Sequence, residues 1–255
     1  MAFIDFGLIF VLTNDSLTFN WARLGNYMFT VTVVNSKGGA GKTTLSTNIA
    51  SYYAKSNYKT ALIDYDSQGS STFWLKRRPE LAPTIQSIAA YKSSNNVTRS
   101  WFVRPEANTQ KVVVDSPSGL DVSIFRNNLT QSDAIIIPVL PSAIDIHAAS
   151  HFIADLLLIA KVSKSDGRIA VLANRSRKNT LVYQQLEKFL TSLGITFITT
   201  LRDTQNYVKA SEQGLGIFEL DGGTIYKDIE TWQPLLNWLE KRAQLSNDSV
   251  QTRLG

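Results

Sequence analysis

The chain contains no cysteine, which removes disulfide frameworks and thiolate-held metals or clusters at once. Histidine is nearly absent: His147 and His151 are the only two, too few for a histidine-rich metal centre. Both fall in one apolar stretch and read as polar positions on a core-packed helix. Long apolar runs are missing as well. Ala134–Leu140 and Leu156–Val162 are the longest, well short of the roughly 20 residues that a membrane-crossing helix needs. The apolar stretch Phe6–Leu12 follows Asp5 instead of a basic segment, and no small-residue cleavage site comes after it, so it fits a secretory signal poorly.

What remains is 255 residues, 44% of them hydrophobic, enough for one well-buried domain. A formal net charge of +5 permits contact with a polyanion without requiring it. From Met28 onward, short β-branched runs alternate with amphipathic stretches, the pattern of a parallel sheet wrapped by helices. The expected strands are Thr30–Val34, Thr60–Ile63, Val112–Val114, Ala134–Val139, Ile169–Ala173 and Phe197–Thr199. They are continuous apolar runs, as strands covered on both faces should be. Helices are expected over Thr43–Lys55, Ile144–Val162, Thr180–Leu193 and Glu230–Gln244. Residues 28–245 thus read as one doubly wound α/β domain with a mostly parallel sheet. Residues 1–27 read as a non-native or disordered leader ahead of a start at Met28, with a membrane-touching arm as the alternative. Residues 246–255 read as a flexible tail.

The strand Thr30–Val34 runs into Asn35-Ser36-Lys37-Gly38-Gly39-Ala40-Gly41-Lys42-Thr43-Thr44, and a helix follows. A phosphate cradle needs this layout. Glycines let successive backbone N–H groups point inward, and the helix N-terminus adds partial positive charge. In such a loop Lys42 reaches the β- and γ-phosphates and the Thr43 hydroxyl ligates Mg²⁺. The generic phosphate-loop pattern asks for glycine at position 36. Here Ser36 stands there, with Gly38, Gly39 and a second lysine, Lys37, in compensation. The next two strands run into Asp64-Tyr65-Asp66-Ser67-Gln68-Gly69 and Asp115-Ser116-Pro117-Ser118-Gly119 in turn, each closing an apolar run with a carboxylate.

With KGGAGKT, DYDSQG and DSPSG in this order, the chain resembles the ParA/MinD family of deviant Walker A ATPases, SIMIBI-type P-loop proteins, over roughly Phe29 to Leu239. Ser67 departs from the family's proline. The resemblance implies ATP and Mg²⁺ as ligands, gripped by Ser36, Lys37, Gly38, Gly39, Ala40, Gly41, Lys42, Thr43 and Thr44. It assigns catalysis to Lys37, Lys42 and Asp66, with Asp66 positioning the attacking water. Thr43, Asp64 and Asp115 would support the metal, Asp115 through water. Asn174 either reads adenine or simply closes a turn.

The signature lysine, Lys37 here, reaches in that family to the nucleotide of a partner subunit, so a homodimer that forms with ATP and loosens after slow, partner-stimulated hydrolysis is expected. A ParB-like or other adaptor would stimulate it. The family further implies a cytoplasmic, nucleoid-associated protein that positions a plasmid, chromosome, chemoreceptor cluster or compartment such as a carboxysome. Basic residues Lys161, Lys164, Arg168, Arg175, Arg177 and Lys178 cluster against Asp166 alone, so nonspecific DNA is the expected surface, with Arg175, Arg177, Lys178, Arg202 and Lys209 as candidate contacts. The family's DNA-binding arginine aligns with Asn206. A MinD-like membrane helix is the competing reading: Trp232, Leu235, Leu236 and Leu239 form an i, i+3, i+4, i+7 stripe, which is also what a core-facing helix shows. A biosynthetic ligase is a third. The nitrogenase iron protein, a cousin, is excluded by the missing cluster cysteines.

Overall fold

A computed structural model describes residues 4–5, 8–13, 16–23, 27–92, 104–176, 181–223 and 225–254. Strands β1 (Ile4–Asp5), β2 (Leu8–Thr13) and β3 (Ser16–Arg23) pair antiparallel in a three-stranded sheet of their own. The main sheet has seven strands: β4 (Phe29–Val33), β5 (Thr60–Asp64), β6 (Ile85–Ala89), β7 (Lys111–Asp115), β8 (Ala134–Val139), β9 (Ile169–Ala173) and β10 (Thr196–Thr200). Their order is β10-β9-β8-β4-β7-β5-β6, with every pairing parallel. Helices α1 (Lys42–Lys55), α2 (Ser70–Lys76), α3 (Arg126–Gln131), α4 (Ala143–Leu158), α5 (Leu181–Leu193), α6 (Gln205–Glu212) and α7 (Tyr226–Leu254) complete the domain.

Strand side chains alternate between two cores, one on each face of the sheet. Ile135, Ile137, Val112 and Val114 pack with Phe152, Ile153 and Leu156 of α4 and Leu186 of α5. Val31, Val33, Val113 and Ile136 pack on the other face with Leu45, Ile49 and Tyr53 of α1 and with Trp232, Leu235, Leu236 and Leu239 of α7. The sheet is therefore doubly wound, as its apolar runs demand. The α7 stripe is wholly consumed by this second core, each of its four residues at most 3% exposed.

The structure adds elements that periodicity does not reveal. Strand β6 is an edge strand in which only Ile85 and Ile88 are buried, too few apolar positions to register as a run. Helix α2 is capped by tertiary contact: Asp64 Oδ2 accepts the Thr72 N–H and the Thr72 hydroxyl, both at 2.9 Å. At the C-terminus, the expected tail from residue 246 is instead helix through Leu254. Ser246 is only 9% exposed and its hydroxyl stands against the Tyr27–Asp133 pair, while Ser249 and Thr252 return their hydroxyls to carbonyls one turn back. The polar composition alone favours fraying; local hydrogen bonds and one buried serine carry the helix on. Tyr27 donates to Asp133 and packs on the domain's core, so the packed residues include at least one ahead of Met28.

Candidate nucleotide site

The register of the central strands assembles the site. Val33 of β4 lies beside Asp115 of β7, and Asp115 lies beside Asp64 of β5, so three chain segments end at one level of the sheet. Beyond Val33 the chain is tied down by Asn35, whose Nδ2 donates to the Pro138 carbonyl at 2.6 Å and whose Oδ1 accepts the Lys37 N–H at 2.9 Å. Gly39 and Gly41 then take φ of 76° and 92°, a region open to glycine at little cost. Nothing lies within 4 Å of where a side chain on Gly38 or Gly39 would point, so this part of the loop faces open space. Helix α1 starts at Lys42 with no side-chain cap, leaving its first N–H groups for a ligand.

Lys42 is 6% exposed and its ammonium donates to the Lys37 carbonyl at 3.2 Å. Burial lowers its pKa against the pull of Asp115 and Asp66. Lys37 is different: its side chain is 40% exposed, and its ammonium pairs with Asp145 Oδ1 at 2.7 Å in the first turn of α4. The two lysines, five residues apart, therefore face different surroundings.

Three carboxylates surround the loop, each with its own partners. Asp64 is well satisfied, accepting the Asp66 N–H at 3.0 Å on Oδ1 besides its two bonds from Thr72 on Oδ2. Asp66 is partly exposed. Burial raises its pKa, but the Gln68 N–H, the Ser118 hydroxyl and N–H, and Lys42 outweigh that and hold it below the usual carboxylate range. Asp115 is the outlier. It is 1% exposed, and desolvation, with Asp64 adding to it, pushes its pKa up to about 7, moderated by the hydroxyls of Thr43, Ser71 and Ser46. Its Oδ2 is buried without a well-formed hydrogen bond, and so is the Ser71 hydroxyl. A buried carboxylate oxygen with an open valence beside Thr43 fits a magnesium site, although among the described residues no three His, Cys, Asp or Glu side chains form a ready-made cage.

A cavity of about 720 Å³ opens next to the loop, lined by Thr43, Thr44, Asn174, Arg175, Asp203 and Tyr207 among others. Asn174 borders it but is spoken for: Nδ2 donates to the Ala40 carbonyl at 2.8 Å and Oδ1 accepts the Arg175 N–H at 3.0 Å. A Cβ on Gly41 would collide with that amide.

Residues 31–217 match the family described as the CobQ/CobB/MinD/ParA nucleotide binding domain. The chain belongs to this family. A relative from Halothiobacillus neapolitanus, "Maintenance of carboxysome distribution protein A", is 30% identical over 196 residues, which covers 76% of this chain and 89% of that one. A 72-residue stretch, 28% of each chain, is 49% identical to "Chromosome-partitioning ATPase Soj" of Treponema pallidum. Among solved structures, a McdA variant of Cyanothece in complex with ATP superposes with TM-score 0.61 at 18% identity, covering 83% of this chain and 97% of that one. The MinD cell division protein of Aquifex aeolicus gives TM-score 0.61 at 18% identity over 82% and 97%. The fold is thus that of the ParA/MinD P-loop ATPases, as KGGAGKT, DYDSQG and DSPSG imply.

The candidate DNA contacts scatter within this frame. Arg175, with φ of 50°, lines the cavity beside the phosphate loop. Arg202 pairs with Asp228 at 2.9 Å, and Asn206 donates to the other oxygen of that carboxylate at 2.6 Å. Lys209 is exposed on α6. Arg177 and Lys178 lie outside the described residues. Arg168 is a tie: it donates to the carbonyls of Leu129, Thr130 and Ser132 and pairs with Asp166. The sequence assigns no role to Asp145 or Thr72, and none to Ser118 beyond its place in DSPSG. For Ser118 the signal was its place just past Asp115; nothing local marks Asp145 as the partner of Lys37.

Proposed function

We propose that this chain is an ATP-driven positioning switch. It binds Mg-ATP in the phosphate loop, dimerises across that nucleotide, hydrolyses it slowly and, as the dimer, holds DNA without reading sequence. The observation that carries the reading is the contrast between the two lysines. Lys42 is buried in its own site, whereas Lys37 stands half-exposed at the loop's mouth, free to reach outward once it leaves Asp145.

The magnitudes allow it. The Lys37–Asp145 pair is open to solvent only at its lysine end; a fully exposed pair is worth about 0–1 kcal/mol, and we take about 1 kcal/mol here. A charge-assisted hydrogen bond to a phosphate is worth about 1.5–3 kcal/mol, and a dimer would make about four across its interface. Moving a population from mostly monomer to mostly dimer needs about 5.5 kcal/mol, which those bonds supply, after the two lost ion pairs are subtracted, once each bond is worth about 2 kcal/mol or more. ADP lacks the γ-phosphate, so the dimer loosens after hydrolysis. Ser36 to Thr44 would wrap the phosphates, and Thr43 with Asp115 would hold the magnesium, which neutralises charge on the β- and γ-oxygens when bound. Asp64 acts through position, fixing Asp66 and α2. Asp66, kept ionised beside Lys42, is placed to orient a water.

The relative named for carboxysome distribution supports a protein compartment as cargo, and the Soj match supports a chromosome; with either cargo, an adaptor that stimulates hydrolysis completes the proposed cycle. Burial of the α7 stripe favours DNA over a bilayer as the surface read. The test is light scattering with ATP, with ADP and without nucleotide, on the wild type and Lys37→Ala. The wild type should become dimeric with Mg-ATP alone; the variant should still bind ATP but remain monomeric and lose hydrolysis. A variant that dimerises and turns over normally would remove the reading.

A further inference from the structure

The two histidines of the chain sit one turn apart on α4, and the fold puts both on its outer face. Ala149, Phe152, Ile153 and Leu156 bury the inner face of that helix, so the pair rides on a fixed frame. Its N-terminus is capped by the Ser142 hydroxyl, which accepts the Asp145 N–H at 3.1 Å. The imidazole centroids are 4.6 Å apart and the two Nε2 atoms face each other at 3.3 Å. The same two nitrogens can share a proton or a metal ion. A tetrahedral ion with about 2.0–2.1 Å bonds to both would space them by about 3.3–3.4 Å, so little rearrangement separates the two cases.

We propose that His147 and His151 form a surface site for a late divalent transition ion of the Zn²⁺ or Ni²⁺ class. Imidazole nitrogens suit these ions, whereas Mg²⁺ and Ca²⁺ prefer oxygen, so the site is distinct in chemistry from the one at Asp115. Two protein ligands on one helix, with no third His, Cys, Asp or Glu converging among the described residues, leave the remaining positions to water or to a second copy. The site also borders the switch: Asp145, which holds Lys37, lies two residues before His147. An ion clipping one turn of α4 to the next stiffens the helix that carries the resting partner of that lysine. The binding site stands independently of the proposed function; only this last coupling rests on it.

Untagged full-length chain titrated calorimetrically with Zn²⁺, Ni²⁺ and Mg²⁺ tests the site, alongside His147→Asn and His151→Asn, with ATP binding as the check that each variant is folded. Zn²⁺ and Ni²⁺ should bind saturably and raise the unfolding midpoint. Mg²⁺ without nucleotide should do neither at the histidines. Since disturbing even an outer-shell partner costs about 10–100-fold in metal affinity, each variant should lose at least that. One ion per two chains, abolished by either substitution, would assign the open positions to a second copy. Undiminished binding in either variant, or no saturable binding by the wild type, overturns the proposal.

Discussion

Asp115 concentrates the electrostatic conflict of the site. Its carboxyl is nearly sealed from water, its neighbour Asp64 is acidic, and one of its oxygens has no well-formed bond, so its pKa is pushed up to about 7. The sign of the linkage follows. The folded chain keeps this proton to a higher pH than the unfolded chain does, so the stability it confers is complete below the ordinary value near 4. That stability is lost as pH rises through 7. Ligand-free Asp115→Asn should therefore gain on the wild type as pH rises, by about 1–3 kcal/mol between pH 5 and 8, in urea unfolding. A gap that stays constant over that range would remove this account of Asp115. The same residue should make Mg-dependent nucleotide binding weaken below pH 7, because the ion must displace the proton.

Helix α7 shows how an element serves two ends. Its inner stripe closes one core, with Trp232 fully buried against Phe218 at 5.4 Å between ring centroids and its indole N–H donating to the Tyr207 hydroxyl at 2.8 Å. Tyr207 lines the cavity beside the phosphate loop, so the packing of α7 sets one wall of that cavity. Further along α7, Glu240 approaches Lys111, whose ammonium also lies over the rings of Phe29, Tyr53 and Tyr58. Trp232→Ala should cost about 3–5 kcal/mol, read by chemical denaturation, and loosen nucleotide binding through Tyr207. A loss below about 1 kcal/mol would mean the helix is less integral than its burial implies. The apolar spacing of this element was legible in the sequence, but its length was not, because the polar residues past Gln244 are held by local hydroxyl bonds and by Ser246 against Tyr27 and Asp133.

For the whole molecule, the testable quantity is the salt dependence of DNA binding. Each phosphate neutralised contributes about −0.9 to the slope of log K against log salt, so about three contacts per subunit give about −2.7 for a monomer and about −5.4 for an ATP dimer. Arg168 should contribute nothing, being tied to three carbonyls, and Arg202 less than its charge suggests, since Asp228 already holds it. Binding titrations across salt concentrations, in ATP and in ADP, measure this. Equal slopes in the two nucleotides would separate DNA binding from the switch. The parallel sheet places Arg175 and Arg202, just past the ends of β9 and β10, on the same side as the phosphate loop, so the proposed dimerisation would bring two such surfaces together.

By itself the sequence determined the phosphate loop, the two carboxylate boxes and the two-faced sheet, because each is written in short-range terms: glycines where the backbone must turn, apolar runs where both faces are covered. Tertiary structure alone decided how those groups are engaged. Asn174 rests on the Ala40 carbonyl, Lys37 on Asp145, Arg168 on three backbone oxygens and Asp64 on Thr72. All are pairings between segments brought together by strand register and helix packing. The two histidines illustrate the division most plainly: spacing put them on one helix, but only the burial of the opposite face turned both toward water with their nitrogens 3.3 Å apart.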